Sequence, residues 1–214
     1  MPRKIGSDFL IKNPVTKGVY ITDSGYYPKA INHYRERQAG IGQHILIYCV
    51  EGYGWVEING KQILIEPSQY IIIPANEPHA YGADKEEAWT IYWIHFNGNL
   101  TNYIMDLIIK HFKHYKPYLA YNENRIKLFE EIYVQLEKGY SDDTLRYVNM
   151  IFYHFLSSLL YEEKFNNTET GTENTISKAV DVMKKKLGGV LSLQELASFS
   201  NLSASHFSTV FKKE

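Results

Sequence analysis

The chain has 214 residues, 44% hydrophobic and 22% charged, with a net charge of −1. That length fills one large domain or two modest ones, and that balance excludes wholesale disorder. A single cysteine, Cys49, excludes an internal disulfide and a cysteine-rich zinc module. The 18 Tyr, 10 Phe and 3 Trp suit strands, cores and apolar pockets alike. Met1 to Asp8 lead into no apolar segment of signal-peptide length and nothing approaches a membrane span, so a cytoplasmic protein without a membrane partner is expected.

The first half reads as strands. Ile45–Val50 is a β-rich run closed by Glu51-Gly52-Tyr53-Gly54. Trp55–Ile58 and Lys61–Ile65 flank Asn59-Gly60, a strong hairpin signal because a type I′ turn needs φ > 0 at both central positions. Further runs follow at Tyr70–Ile73 and Trp89–Phe96, punctuated by Pro74, Pro78, Gly82 and Asn97-Gly98. Short strands at this spacing predict an antiparallel barrel or sandwich.

The second half is helical, with segments near Asn99–His114 and Arg125–Lys138. The clearest spans Asp142–Lys164, where Leu145, Val148, Phe152, Phe155 and Leu159 recur at helical spacing. Ile151, Leu156 and Leu160 widen the stripe beyond what one amphipathic helix needs, so two packed sides are expected: the barrel and a second copy of the chain. Phe165–Asn174 is nearly devoid of apolar residues and reads as a linker.

Residues 175–214 carry six lysines against three acids, a net +3, which leaves −4 in the first 174. A basic end on a near-neutral body points towards nucleic acid, with a solvated lysine-rich helix face as the alternative. Ile176–Leu187 reads as a helix ended by Gly188-Gly189, and Ser192-Leu-Gln-Glu195 forms a capping box opening the next, which ends near Ser200. A last helix spans Ser203–Lys213. Ala197 at the crossing, Asn201 at a left-handed turn, and Leu196, Leu202, Phe207 and Val210 as wedges fit a helix-turn-helix. With Phe207, Val210 and Phe211 inward, the last helix offers Ser205, Ser208 and Thr209 to base edges, and Lys212 and Lys213 to phosphates.

The stretch Leu193–Glu214 resembles the first helix-turn-helix of AraC/XylS-type transcription regulators, on the pattern of Ser203, Phe207, Phe211 and Lys212. The resemblance implies Ser205, Ser208, Thr209 and Lys212 as DNA-binding residues. Members carry two such units and this sequence reaches only the first, so a shortened form that binds operator DNA weakly is expected. Residues 18–98 resemble the cupin-type barrel of arabinose-regulator-like members, and the resemblance extends to the helical pair that follows. It implies an α+β fold: a cupin-like effector-binding and dimerisation domain at 1–165, a linker at 166–174, and the helix-turn-helix at 175–214.

Enzymatic cupins hold a metal with a His-x-His pair, a Glu and a later His. Here His44-Ile45-Leu46 lacks the second histidine, although His79 follows a proline turn. No metal, cofactor or catalytic constellation is therefore expected. The resemblance places Arg37 on a sugar-bonding Arg, Tyr81 on a pocket Tyr and Trp93 on a stacking Trp, with His79 beside them. Ile91 stands where arabinose-binding members use His. The implied function is a transcription regulator, an activator, that senses a sugar, works as a homodimer through Leu145, Val148, Phe152, Phe155 and Leu159, and binds operator DNA. Effector binding is expected to order or reposition the N-terminal segment, about residues 1–20, over the pocket. The competing reading is a metal-dependent cupin enzyme acting on a sugar or small acid.

Overall fold

A computed structural model of the chain describes residues 7–112, 122–166, 180, 183, 192–199 and 204–211. Among them, eight strands form two four-stranded antiparallel sheets. They are β1 (Tyr20–Tyr27), β2 (Tyr34–Arg37), β3 (His44–Glu51), β4 (Gly54–Ile58), β5 (Lys61–Ile65), β6 (Tyr70–Ile73), β7 (His79–Ala83) and β8 (Thr90–Asn97). One sheet has the order β1-β8-β3-β6 and the other β2-β7-β4-β5. The β4–β5 hairpin turns on Asn59 at φ 51° and Gly60 at φ 75°, as the Asn-Gly pair requires.

Strand alternation divides the core in two. Ile45, Ile47 and Cys49 of β3, Ile71 and Ile73 of β6, and Ile91 and Trp93 of β8 pack inside the barrel with Val56 and Trp89. Leu46 and Tyr48 of β3 and Tyr92, Ile94 and Phe96 of β8 pack outward against helices. A sheet covered on both faces needs apolar residues at every position, which is why β3, β6 and β8 read as unbroken runs.

The helical layer comprises α1 (Ser7–Lys12), α2 (Thr101–Phe112), α3 (Glu123–Lys138) and α4 (Asp142–Leu160). Asn122 caps α3, its side-chain oxygen accepting from Arg125 N at 3.2 Å. Asn149 of α4, fully enclosed, accepts the Ile21 N–H of β1 at 2.7 Å and donates to Leu145 O at 2.6 Å. That side chain ties the helical layer to the edge strand of the first sheet.

Three expectations need correction. Leu145, Val148, Phe152, Phe155 and Leu159 are at most 4% exposed and belong to the chain's own core, so they do not form a dimer contact. Phe152 packs on Phe96 with ring centroids 5.4 Å apart, and Phe155 on Phe129 at 6.1 Å. The wide apolar stripe is consumed by the barrel on one side and α2–α3 on the other. The helix also ends at Leu160 rather than Lys164, with a short α5 (Glu162–Asn166) after a turn at Tyr161.

Contacts divide the chain into two units, Met1–Leu160 and Tyr161–Glu214. In the second, α6 (Leu193–Phe199) and α7 (Ala204–Phe211) pack through Leu196, Ala197 and Phe207, with Met183 and Ala204 beside them. The capping box forms: Ser192 Oγ accepts from Glu195 N at 3.2 Å, and Glu195 Oε2 accepts from Ser192 N at 2.9 Å. Phe211 is the third correction. It is 40% exposed rather than inward, because its ring stacks on the outer side of Phe207 at 5.5 Å. Of the linker expected at 166–174, Asn166 closes α5, and 167–174, Asn201, Leu202 and most of Ile176–Leu187 lie outside the described residues.

Candidate functional site

Two antiparallel pairings, one in each sheet, bring side chains to one cavity. In β8, Ile91, Trp93 and His95 alternate onto the barrel interior, and register sets them opposite Tyr27, Gly25 and Asp23 of β1. In β2, Arg35 pairs with Tyr81 and Arg37 with His79 of β7. Between these two walls lies a cavity of about 310 Å³ into which Asp23, Arg35, Arg37, Tyr81, Trp93 and His95 project. Its size sits at the lower end of small-molecule sites, roughly 300–1,000 Å³.

Gly25 makes room for the largest wall residue. A Cβ there would stand 2.5 Å from Trp93 Cζ2 and 2.6 Å from Cε2, so the indole lies across the bare backbone of β1. Tyr27 and His95 flank it, with ring centroids 5.8 and 5.2 Å away. Trp93 is only 8% exposed, and its Nε1 has no hydrogen-bond partner among the described residues.

Arg37 is held by neutral groups. Its Nη1 donates to Tyr81 OH at 3.3 Å and lies 3.3 Å from His79 Nε2. His79 Nδ1 is 2.7 Å from Glu77 O, so Nδ1 carries the proton and Nε2 accepts from the guanidinium. The His79 ring also stacks nearly parallel on Tyr81, 5° off, with centroids 6.1 Å apart. Burial, then the Arg37 charge, hold the pKa of His79 below the ordinary value.

The two histidines that line the wall, His33 and His95, are shifted the same way. Trp89 Nε1 donates to His33 Nδ1 at 3.2 Å, and burial followed by Arg35 lowers the His33 pKa. His95, the deepest, is brought down to about 4 by burial, with Arg37, His79 and Arg35 adding to it. Asp23 moves the other way: burial raises it to about 6 against the hydrogen bond from Ser24 N. The wall thus combines two cations, one weak acid, neutral imidazoles and a flat aromatic face.

Of the residues expected at the site, Arg37, Tyr81 and Trp93 share the cavity wall, and His79 stands behind Arg37 as its support. Asp23, Tyr27, His33, Arg35 and His95 also line it but were not singled out from sequence. Period-two spacing from Trp93 reaches His95, and from Arg37 reaches Arg35, so alternation alone could have found both. His44 is buried elsewhere, accepting from Ala75 N at 3.2 Å and stacked on Phe96. Among the described residues, no three His, Cys, Asp or Glu converge as metal ligands.

The N-terminal segment packs on the helical layer. Leu10 of α1 is fully buried in the helix-side core, with Phe9 packed beside it under the Arg146 guanidinium at 5.3 Å. Thr16 Oγ1 donates to Leu10 O at 2.8 Å. Residues 9–16 are therefore anchored to the helical layer, and residues 1–6 lie outside the described residues. In the second unit, Ser208 is half-buried on α7, while the side chains of Ser205, Thr209 and Lys212 lie outside the described residues.

Residues 24–148 match the AraC-like ligand binding domain family. The chain is 26% identical over 217 aligned positions to the MmsAB operon regulatory protein of Pseudomonas aeruginosa, covering 95% of this chain and 66% of that one. It is 20% identical to the Msm operon regulatory protein of Streptococcus mutans, covering 89% of this chain and 73% of that one. The chain thus spans about two thirds of the length of the first relative. Among solved structures, ToxT from Vibrio cholerae aligns with a TM-score of 0.39 at 15% identity, over 92% of this chain and 94% of that one.

Proposed function

The chain belongs to the AraC-like ligand-binding-domain family, and from that premise we propose that it is a transcription regulator that holds a sugar in its barrel and binds operator DNA through residues 175–214. The family and both relatives are regulators rather than enzymes. One observation carries the effector reading: Arg37, Tyr81 and Trp93, from three strands of two sheets, meet at one cavity of small-molecule size. A guanidinium fork bonds hydroxyl oxygens, and an indole face packs on the C–H face of a pyranose.

The DNA-binding part rests on the formed capping box, the buried Leu196–Ala197–Phe207 contact and the basic balance of the last 40 residues. On this reading Ser205, Ser208 and Thr209 face base edges and Lys212 a phosphate. The regulator acts as a homodimer in the cytoplasm. Because the inner face of α4 is spent on the chain's own core, the second copy seats on its outer face, where Tyr147 and Met150 are 46% and 61% exposed.

The deciding experiment is a thermal-shift screen of mono- and oligosaccharides on the wild type and Trp93→Ala. A sugar that raises Tm in the wild type and loses its effect in the variant supports the reading. A wild type indifferent to every sugar refutes it.

A further inference from the structure

Resting on the effector reading above, we propose that the cavity selects an acid: a hydroxylated monocarboxylate of sugar size, with its carboxylate on Arg35 and Arg37 and its ring over Trp93. In sequence, Arg35-Glu36-Arg37 looks like a mixed-charge surface run. The strand separates those charges. Arg35 and Arg37 alternate onto the cavity wall, while Glu36 turns out, accepting from Tyr34 OH at 2.8 Å and from Gln38 Nε2 at 3.3 Å. Two cations face in and their intervening anion faces away.

Nothing inside offsets both charges. Among the described residues, neither guanidinium has a carboxylate within ion-pair distance. The groups that hold Arg37, His79 Nε2 and Tyr81 OH, are neutral. Burial first, and the guanidinium charges after it, lower the pKa of the histidines at the cavity, Arg35 adding to the shift of His33 and His95 and Arg37 to that of His95 and of His79 behind it. The one acid on the wall, Asp23, is weak, and even when ionised it leaves a balance of one positive charge.

A monocarboxylate brings that balance to zero, whereas a neutral sugar leaves it and a phosphate dianion overshoots it beside Asp23. The planar Arg fork also matches a carboxylate in geometry. The remaining groups suit hydroxyls: Asp23 accepts, and the neutral imidazoles of His33 and His95 donate or accept. Trp93, nine-tenths buried, adds an indole N–H with no partner among the described residues. Sugar acids combine these features in one molecule.

The test is titration calorimetry at pH 7.5 with a panel of hexuronates and aldonates, their neutral parent sugars, and glucose 6-phosphate. Variants are Arg35→Gln, at an exposed position on the rim where folding is not at stake, and Trp93→Ala. Sugar acids should bind at least about tenfold tighter than their parents, the factor expected for one charge-assisted hydrogen bond. Arg35→Gln should erase most of that preference by weakening the acids far more than their neutral parents, and Trp93→Ala should weaken both alike. Parents binding as tightly as acids, with Arg35→Gln silent, overturn the inference and leave the sugar reading standing. A preference for the phosphate overturns the assignment to a carboxylate. Binding by no member of the panel overturns both readings together.

Discussion

Replacing Gly25 by alanine tests the geometry of the cavity wall without removing any functional group. The added Cβ would stand 2.5, 2.6 and 2.8 Å from Trp93 Cζ2, Cε2 and Nε1, inside ordinary van der Waals contact by about 1 Å. Those atoms belong to a rigid ring boxed by Tyr27 and His95, so the indole has to shift as a whole. Overpacking of this kind costs about 1–3 kcal/mol, about 2–12 °C in Tm for a unit of this size. Gly25 does not adopt positive φ, so alanine carries no backbone penalty and gains a few tenths of a kcal/mol through the unfolded chain. The assay is a double-mutant cycle by thermal unfolding: Gly25→Ala should destabilise the wild type and be neutral or stabilising in a Trp93→Ala background. Gly42→Ala, whose Cβ meets nothing closer than 3.9 Å, is the control. An equal loss in both backgrounds refutes the claim that Gly25 exists to seat Trp93.

Phe152→Ala should cost about 3–5 kcal/mol in the monomer, with a Tm drop independent of protein concentration, because the ring is fully buried in the chain's own core. Dissociation of an oligomer at unchanged monomer stability would restore the role the structure removes from it. Asn149→Leu should cost about 1–3 kcal/mol by leaving the Ile21 N–H unpaired, and hydrogen exchange at the Ile21 amide should accelerate selectively. Acidification pulls two ways: with its pKa lowered to about 4, His95 binds fewer protons folded than unfolded, so its contribution is lost as pH falls from 6.5 towards 4. Asp23, raised to about 6, gains stability over the fall from 6 to 4, an effect discounted because the group is half-exposed. Denaturation across that range should therefore show Asp23→Asn more acid-labile than the wild type and His95→Gln less so.

Much of the fold was legible because its signals are local. The Asn59-Gly60 turn, the runs of β3, β5 and β6, and the Ser192–Glu195 box each follow from a few adjacent residues. The errors arose where one pattern serves two partners. A stripe on α4 wide enough to suggest a second copy is filled by barrel and helices of the same chain, and sequence periodicity reports burial without saying by what. Strands β1, β2 and β7 passed unread because Asp23, Gly25, Arg35, Arg37 and Gly82 break the apolar pattern that marks a strand. Four of those five residues line the cavity or make room in it, so the positions that weaken the strand signal are those that build the site.

Asp23 shows why alternation could not have reached it from the core side. Ile21 faces the helical core and Asp23 faces the cavity, although residues two apart on a regular strand share a face. The register explains it: Ile21 pairs with Phe96 and Asp23 with the next residue, His95, so Thr22 is the extra residue of a bulge. The bulge turns the strand over at one point, leaving apolar residues before it for the helices and polar ones after it for the cavity. Asn149 bonds the Ile21 N–H on one side of that point, and Asp23 enters the cavity on the other.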